Sequence, residues 1–516
     1  MQIQTIKDLE LNFSMYFHKK FRCLYNTTEI EEIYNQGEGP DGWLMSDNDT
    51  ILLINYFKEI DFNKLNSIKK IASDNFEKVY SITVSFNDNN QVMILCELNN
   101  EKIQLSDIQD KFKIDAKKEE EINKLPHDIH QWIHDNGIQM DRVHKQLLIA
   151  FILIGLKLRP REVRRAKTAS DVIEIIRNII KVKYSNDSQF IKEFDFLYTP
   201  SPIRQHIKEI VSKFPYQLGS DDTLNRFFAE FQLYQKNNEA EKGIVFTPND
   251  IVDIMVSNCK IDKDSSVLDI CAGSGSFLVK SALKCCRDLR GCEIVNSEYV
   301  LAKCNFIING LNCNKLKCND SFKETFEPAD YVILNPPFGM KAIKYTSNDG
   351  EVYKKEQAFI IKALELCKKG ASFIIPISNF TENKQNMKFK KYLLSNFKID
   401  KLILLNDVVF KPNAAQQCLI VCCTKCDKPE LSQTTTFENR VEDGYVIVNS
   451  VRTKTNDEHI TIESKTIDVN NDWTKKVEQH NDFGDDDFEK MIKGIKEDYY
   501  ESCLNEIIEH FKQNIN

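Results

Sequence analysis

The chain has 516 residues, 42% of them hydrophobic, enough for two to four domains with cores of their own. A net charge of -8 and a pI near 5.8 argue against a surface coated in positive charge for binding nucleic acid unaided. No stretch approaches the roughly 20 apolar residues of a membrane span, no signal-peptide pattern opens the chain, and 16 scattered cysteines fit a reducing, cytoplasmic setting better than disulfides.

Residues 1–112 read as a small α/β domain. Thr50–Tyr56, Val79–Phe86 and Val92–Leu98 have strand character, and Leu65–Phe76 is the helix between them. Pro40-Asp41, then the strand and Lys58, faintly resemble a restriction-nuclease metal site, which needs two carboxylates holding a divalent cation beside a lysine. Asn55 and Tyr56 stand where the second acid should be, and Glu97 offers an acid without the lysine. A degenerate or purely structural domain is therefore expected.

Residues 113–240 read as a helical domain. The charged stretch Lys117–Glu121 is a linker or helix start, and Pro126 is expected to open a helix carrying His127, His130 and His134 on one face. No acid or cysteine completes a metal site with them, and Cys423 and Cys426 lack a second close pair, so no metal is expected. Leu147–Leu156, the longest apolar run, is a buried helix. Basic clusters at Lys157–Arg165 and Lys384–Lys391 are either solvated faces or phosphate contacts.

Residues 241–426 carry the chemistry. Ser266–Ile270 is a buried strand, and Cys271-Ala272-Gly273-Ser274-Gly275-Ser276 turns from it into a helix through Val279 and Ala282. Strand, glycine turn and helix is the nucleotide-cradling arrangement, because glycines let backbone approach a ligand and a helix start presents free N–H groups. Glu293 ends the next strand, placed for ribose hydroxyls. Asp320, followed by Ser321 and Phe322, ends a third, placed for an adenine amino group.

A fourth strand, Tyr331–Leu334, runs into Asn335-Pro336-Pro337-Phe338 and Gly339. An amide followed by two prolines makes a rigid, donor-poor corner with an aromatic ring beside it. Adenine's exocyclic nitrogen is a poor nucleophile because its lone pair is delocalised into the ring. Two acceptors aimed at its two N–H bonds would localise that pair, and the Asn335 side-chain oxygen and Pro336 carbonyl are candidates. Phe338 would stack on the base, a contact worth about 1–3 kcal/mol.

In residues 427–516, Thr434–Val451 reads as a hairpin turning at Asp443-Gly444, the stretch to Asp487 as polar and loose, and the segment from Phe488 as an amphipathic helix with Ile492, Ile495, Tyr499, Cys503, Ile507 and Phe511 along one seam.

From about Leu224 to Lys425 the chain resembles the modification subunits of type I restriction systems, and S-adenosylmethionine-dependent adenine-N6 DNA methyltransferases generally. Lys242–Pro248 looks like the segment that packs on the methionine end of the cofactor, Asp269–Gly275 the main cofactor turn, and Asn335–Phe338 the catalytic corner. Ala358–Ile361 and Lys369–Pro376 look like the next helix and strand, and Leu402–Leu405 with Cys418–Val421 the closing hairpin. The resemblance implies a Rossmann-like α/β core with a mostly parallel sheet. It also implies S-adenosylmethionine as cofactor, held by Phe246, Thr247, Pro248, Asp269, Ala272, Gly273, Gly275, Ser276, Glu293, Asp320 and Ser321. Asn335, Pro336, Pro337 and Phe338 would be catalytic on DNA, with a separate specificity subunit as partner and the terminal helix as its docking element.

Two rival readings stay open. One is a methyltransferase of the same fold acting on RNA adenine or a protein glutamine; the glutamine enzymes usually carry Tyr where Phe338 stands. The other is a catalytically inactive, cofactor-binding scaffold subunit.

Overall fold

The computed structural model describes residues 33–34, 39–47, 49–86, 91–112, 116–138, 140–184, 186–198, 202–215, 223–233, 247–284, 286–339, 343–380, 383–405, 409–410, 417–427, 433–448 and 451–469. The expected terminal helix from Phe488 lies outside them.

The N-terminal sheet is built from β1 (Gly42–Met45), β2 (Thr50–Tyr56), β3 (Lys78–Phe86), β4 (Val92–Leu98) and β5 (Glu101–Lys102), hydrogen-bonded in that order. Only β2 and β3 are parallel, joined by helix α1 (Phe62–Ser73), which starts where the Asp61 carboxylate accepts from the Asn63 and Lys64 N–H groups. Strand alternation sends Leu52, Ile54, Ile82 and Val84 toward α2 (Leu105–Phe112) and Ile51, Leu53 and Val79 toward α1. The nuclease-like arrangement does not assemble. Asp41 accepts from the Tyr56 N–H at 2.6 Å, and Lys58 is exposed. Glu97 does receive a lysine after all, but from α1: Lys69 Nζ lies 2.9 Å from its carboxylate, both buried.

Seven helices follow: α3 (Ala116–Asp135), α4 (Arg142–Leu158), α5 (Pro160–Arg165), α6 (Ala169–Lys183), α7 (Ser188–Phe194), α8 (Pro202–Lys213) and α9 (Thr223–Leu233). Pro126 sits inside α3 instead of opening it. The missing N–H is tolerated because Ile122, Leu125, Ile129 and Ile133 keep a continuous buried stripe across it. In α4 every residue from Gln146 to Leu158 is buried, since α6, α9 and a helix of the following α/β unit all pack on it. His130 is enclosed against Phe231, and burial pushes its imidazole down to about 4. His127 meets Glu230 at 2.9 Å, while His134 is exposed. Among the described residues no group of three or more His, Cys, Asp or Glu is placed to hold a metal.

Much of the basic cluster at 157–165 is used in contacts within the chain, although Arg165 stays exposed. Arg161 stacks on Phe76, Arg164 donates to the Phe214 and Pro215 carbonyls at 2.9 Å each, and Arg165 lies 3.6 Å from Asp49. These cations bind the helical layer to itself and to the N-terminal sheet.

The C-terminal half is built on a nine-stranded sheet. Its strands are β6 (Ser266–Asp269), β7 (Asp288–Glu293), β8 (Leu316–Cys318), β9 (Ala329–Leu334), β12 (Cys367–Pro376), β13 (Phe397–Leu405), β14 (Cys418–Lys425), β15 (Gln433–Val448) and β16 (Val451–Val469); β10 (Lys344–Thr346) and β11 (Val352–Lys354) pair separately. The order β8-β7-β6-β9-β12-β14-β13-β15-β16 is parallel from β8 to β12, after which β14 runs antiparallel to both neighbours. Val267 and Ile333 face one layer with α10 (Asn249–Ser257), α11 (Ser276–Ala282) and α12 (Asn296–Ile308). Leu268 and Leu334 face the other with α13 (Glu356–Glu365) and α14 (Lys384–Asn396). This is the α/β, mostly parallel core expected from the sequence. No described helix is long and apolar enough to cross a membrane.

Two expectations for the C-terminal region are corrected. The hairpin does not turn at Asp443-Gly444, where the ladder only shifts register between Asp443 and Tyr445 and then continues to Val448 opposite Val451. An Asp-Gly pair is absorbed as an irregularity when strand pairing persists on both sides. The stretch to Val469 is also not loose: recurring Thr, Ile and Val at 451–469 suit a strand paired along β15.

Candidate active site

Strands β6 and β9 lie side by side in parallel, Val267 opposite Tyr331 and Leu268 opposite Val332. From β6 the chain moves through β7 and β8 on one side, then returns to place β9 on the other. The order reverses between β6 and β9, so a crevice opens beyond their carboxyl ends. The glycine turn and the Asn-Pro-Pro-Phe corner both leave from this point.

The turn is fixed by its neighbours. Gly275 has φ +78° and stands at the start of α11, and a Cβ there would lie 3.3 Å from the Ala302 Cβ of α12, so both conformation and space favour glycine. Asn305 of α12 donates to the Ser274 carbonyl at 3.1 Å. Glu293 receives the Gly273 N–H at 2.9 Å on one oxygen and the Val295 N–H at 2.8 Å on the other. Burial pushes its carboxyl above the usual range, opposed by those N–H groups. Asp269 is fully buried beneath the turn; one oxygen accepts from the Cys271 N–H at 2.9 Å and the other has no hydrogen-bond partner.

That burial raises the Asp269 pKa from 3.8 to about 8, with Glu293 adding to the rise and the Cys271 N–H opposing it. Between those values the folded protein holds a proton that the unfolded chain has lost, so this group's stabilisation is full at low pH and falls as pH rises toward 8. Asp269→Asn is expected to flatten that decline. Hydrogen-exchange protection of the β6 and β9 amides in the two proteins from pH 5 to pH 8, corrected for the intrinsic pH dependence of exchange, tests it, and parallel profiles would refute it.

At the corner, the Asn335 amide Nδ2 donates to Thr247 Oγ1 at 3.0 Å, and its Oδ1 is buried without a hydrogen-bond partner. Gly339 N–H donates to Glu356 Oε1 at 2.5 Å, anchoring the far end of the corner. Phe338 is half-buried and meets Phe410 edge to face, centroids 5.9 Å apart.

A single pocket, open to solvent, joins the two features. Thr247, Ala272, Gly273, Ser276 and Asn335 line it. Asp269, Gly275 and Glu293 support the turn from behind, and Pro248 precedes α10. Asp320 follows β8, where it accepts from the Phe322 N–H at 3.0 Å, and Ser321 is buried beside it. Pro336 is buried and Pro337 half-buried. Phe246 lies outside the described residues.

Sequence reasoning missed Arg142, Gln146, Phe228, Phe277 and Glu298, which also line the pocket, and did not single out Cys271 or Ser274. Arg142, Gln146 and Phe228 come from the helical layer. One signal was available: Arg142 and Gln146 are polar residues one turn apart at the start of a strongly apolar helix.

The model of the family described as N-6 DNA Methylase matches residues 220–509, more than half of the chain. The type II restriction enzyme and methyltransferase RM.BcgI of Heyndrickxia coagulans is 24% identical over 445 residues, covering 76% of this chain and 65% of that protein. The type I restriction enzyme MjaVII methylase subunit of Methanocaldococcus jannaschii is 22% identical over 282 residues, covering 47% and 49%. The chain thus spans between about half and two thirds of the length of these relatives. The crystal structure of a type I restriction-modification methyltransferase subunit from Streptococcus thermophilus is 18% identical, covering 58% of this chain and 71% of that one with a TM-score of 0.44.

Proposed function

The chain belongs to the N-6 DNA methylase family, and on that premise we propose that it transfers a methyl group from S-adenosylmethionine to the N6 amino group of adenine in DNA. The observation that carries this is the buried, unpartnered Asn335 Oδ1 opening onto the same pocket as the glycine turn. A buried acceptor without a donor costs about 1–3 kcal/mol, a cost that an incoming amino group would remove.

The residues present fit the cofactor. The turn from Ala272 to Ser276 would carry the nucleoside, with Glu293 and Asp320 as the candidate readers of ribose and base, and Thr247 and Asp269 would flank the amino-acid end. The bound group supplies an activated methyl on a sulfonium. The protein's own part is placement, which can supply about 7–11 kcal/mol of a barrier. Thr247 holds the Asn335 amide so that its oxygen points at the substrate amine. Pro336, lacking an N–H, offers only its carbonyl, and Phe338 provides a stacking face. An adenine in a duplex must leave the stack to reach the corner, at a cost of a few kcal/mol.

Target choice would come from a partner, a separate specificity subunit. The acidity of the chain and the use of Arg161, Arg164 and Arg165 in internal contacts support an enzyme that is helped onto DNA.

The test is transfer of labelled methyl groups to duplex DNA, RNA and protein, with and without co-purifying partners. Label on adenine N6 of DNA is expected. Label on RNA or protein alone would replace the substrate. Cofactor binding with no transfer to any of them would leave a scaffold.

A further inference from the structure

The wall that the helical layer gives to the pocket contains a buried ion pair with an unusual defect. Arg142, in the first turn of α4, and Glu298, in the first turn of α12, approach only to 3.5 Å, with side chains 7% and 8% exposed. A well-formed charge-assisted contact sits at about 2.7–2.9 Å, and Glu298 Oε1 has no hydrogen bond. Burying two charges costs several kcal/mol per ion unless geometry is close and the remaining donors and acceptors are satisfied. Here the two line the same pocket 3.5 Å apart, with Glu298 Oε1 still open to a donor.

The guanidinium is nevertheless aimed. Arg142 Nη1 donates to Gln146 Oε1 at 3.2 Å, and Gln146 is itself 1% exposed. A guanidinium has five donors in a rigid fork suited to a carboxylate, and a carboxylate oxygen suits an ammonium. A pair of opposite charges held slightly apart is therefore complementary to a zwitterion.

We infer that Arg142 and Glu298 form a reader for the α-amino-acid end of the cofactor, the guanidinium taking its carboxylate and Glu298 its ammonium. The inference rests on S-adenosylmethionine being the cofactor. It adds that recognition is shared between the catalytic sheet and the helical layer, so that the bound amino-acid end draws α4 and α12 together. Gln146 is a positioning residue, acting through Arg142.

The experiment compares two ligands on the full chain by calorimetry: S-adenosylhomocysteine, which carries the amino-acid end, and 5′-methylthioadenosine, which lacks it. Arg142→Gln is expected to weaken the first by about 10- to 100-fold and the second by less than about twofold, since the nucleoside contacts are untouched. Glu298→Gln, near-isosteric and less exposed to misfolding, should act in the same direction, and Arg142→Lys should keep part of the preference. Unchanged binding of S-adenosylhomocysteine, or parallel loss of both ligands, would overturn the reader while leaving the cofactor assignment intact. Wild-type protein that binds neither ligand would overturn both.

Discussion

Asn335→Ala should lower methyl transfer by about 10²–10³-fold or more, with S-adenosylhomocysteine affinity within about twofold of wild type. The side chain contributes one oriented acceptor where the amine's lone pair must be freed, and such preorganised groups act on the transition state more than on binding. Its other contact, Nδ2 to Thr247 Oγ1, leaves a hydroxyl that can rotate to a new partner, so the fold should survive. Asn335→Asp keeps an acceptor at the same place and should retain more activity than the alanine variant. Single-turnover rates beside binding isotherms decide the matter. Equal loss of rate and cofactor binding in Asn335→Ala would mean that Asn335 shapes the cofactor pocket instead.

The second large effect is expected far from the pocket. Glu97→Ala leaves Lys69 as a buried, unpaired cation, and breaking a buried pair costs about 3–5 kcal/mol. The surroundings offer little relief. Ser81 lies directly opposite Glu97 in the ladder, Thr83 and Ser85 follow on the same face of β3, and Asn55 lies opposite Thr83. All four are buried and have unpartnered polar atoms. Replacing both charged partners, Lys69→Met with Glu97→Leu, should recover most of the loss, because the uncompensated charge is then gone. A chain of several domains does not melt as one unit, so the readout is hydrogen exchange of the β3 and β4 amides. Unchanged protection in Glu97→Ala would show that the pair contributes nothing.

Together these two sites separate the chain's two kinds of buried polarity. At Asn335 an orphaned acceptor faces a pocket, where a ligand amine can meet it. At Asn55, Ser81, Thr83 and Ser85 the orphaned groups line a packed sheet face beside one ion pair.

The Asn-Pro-Pro-Phe corner, the glycine turn and the strands that carry them were legible in the sequence because each is a contiguous run whose backbone preference is local. Tyr331–Leu334 must be a buried strand, Asn335-Pro336-Pro337 cannot continue it, and Gly273 and Gly275 supply the positive φ values of +50° and +78° that the turn needs. Local preference also identified α4 as a buried helix and Val92–Leu98 as a strand. It could not say that Arg142 and Gln146 would open into the pocket, that Lys69 would find Glu97, or that Arg161 and Arg164 would be spent on Phe76 and the Phe214 carbonyl. Those outcomes depend on which helix packs against which sheet. Where tertiary pairing competed with a local signal it prevailed: Pro126 stayed inside its helix and Asp443-Gly444 inside its ladder. Turn chemistry and periodicity act within a few residues, whereas a buried charge takes its partner from whatever part of the chain folding brings alongside.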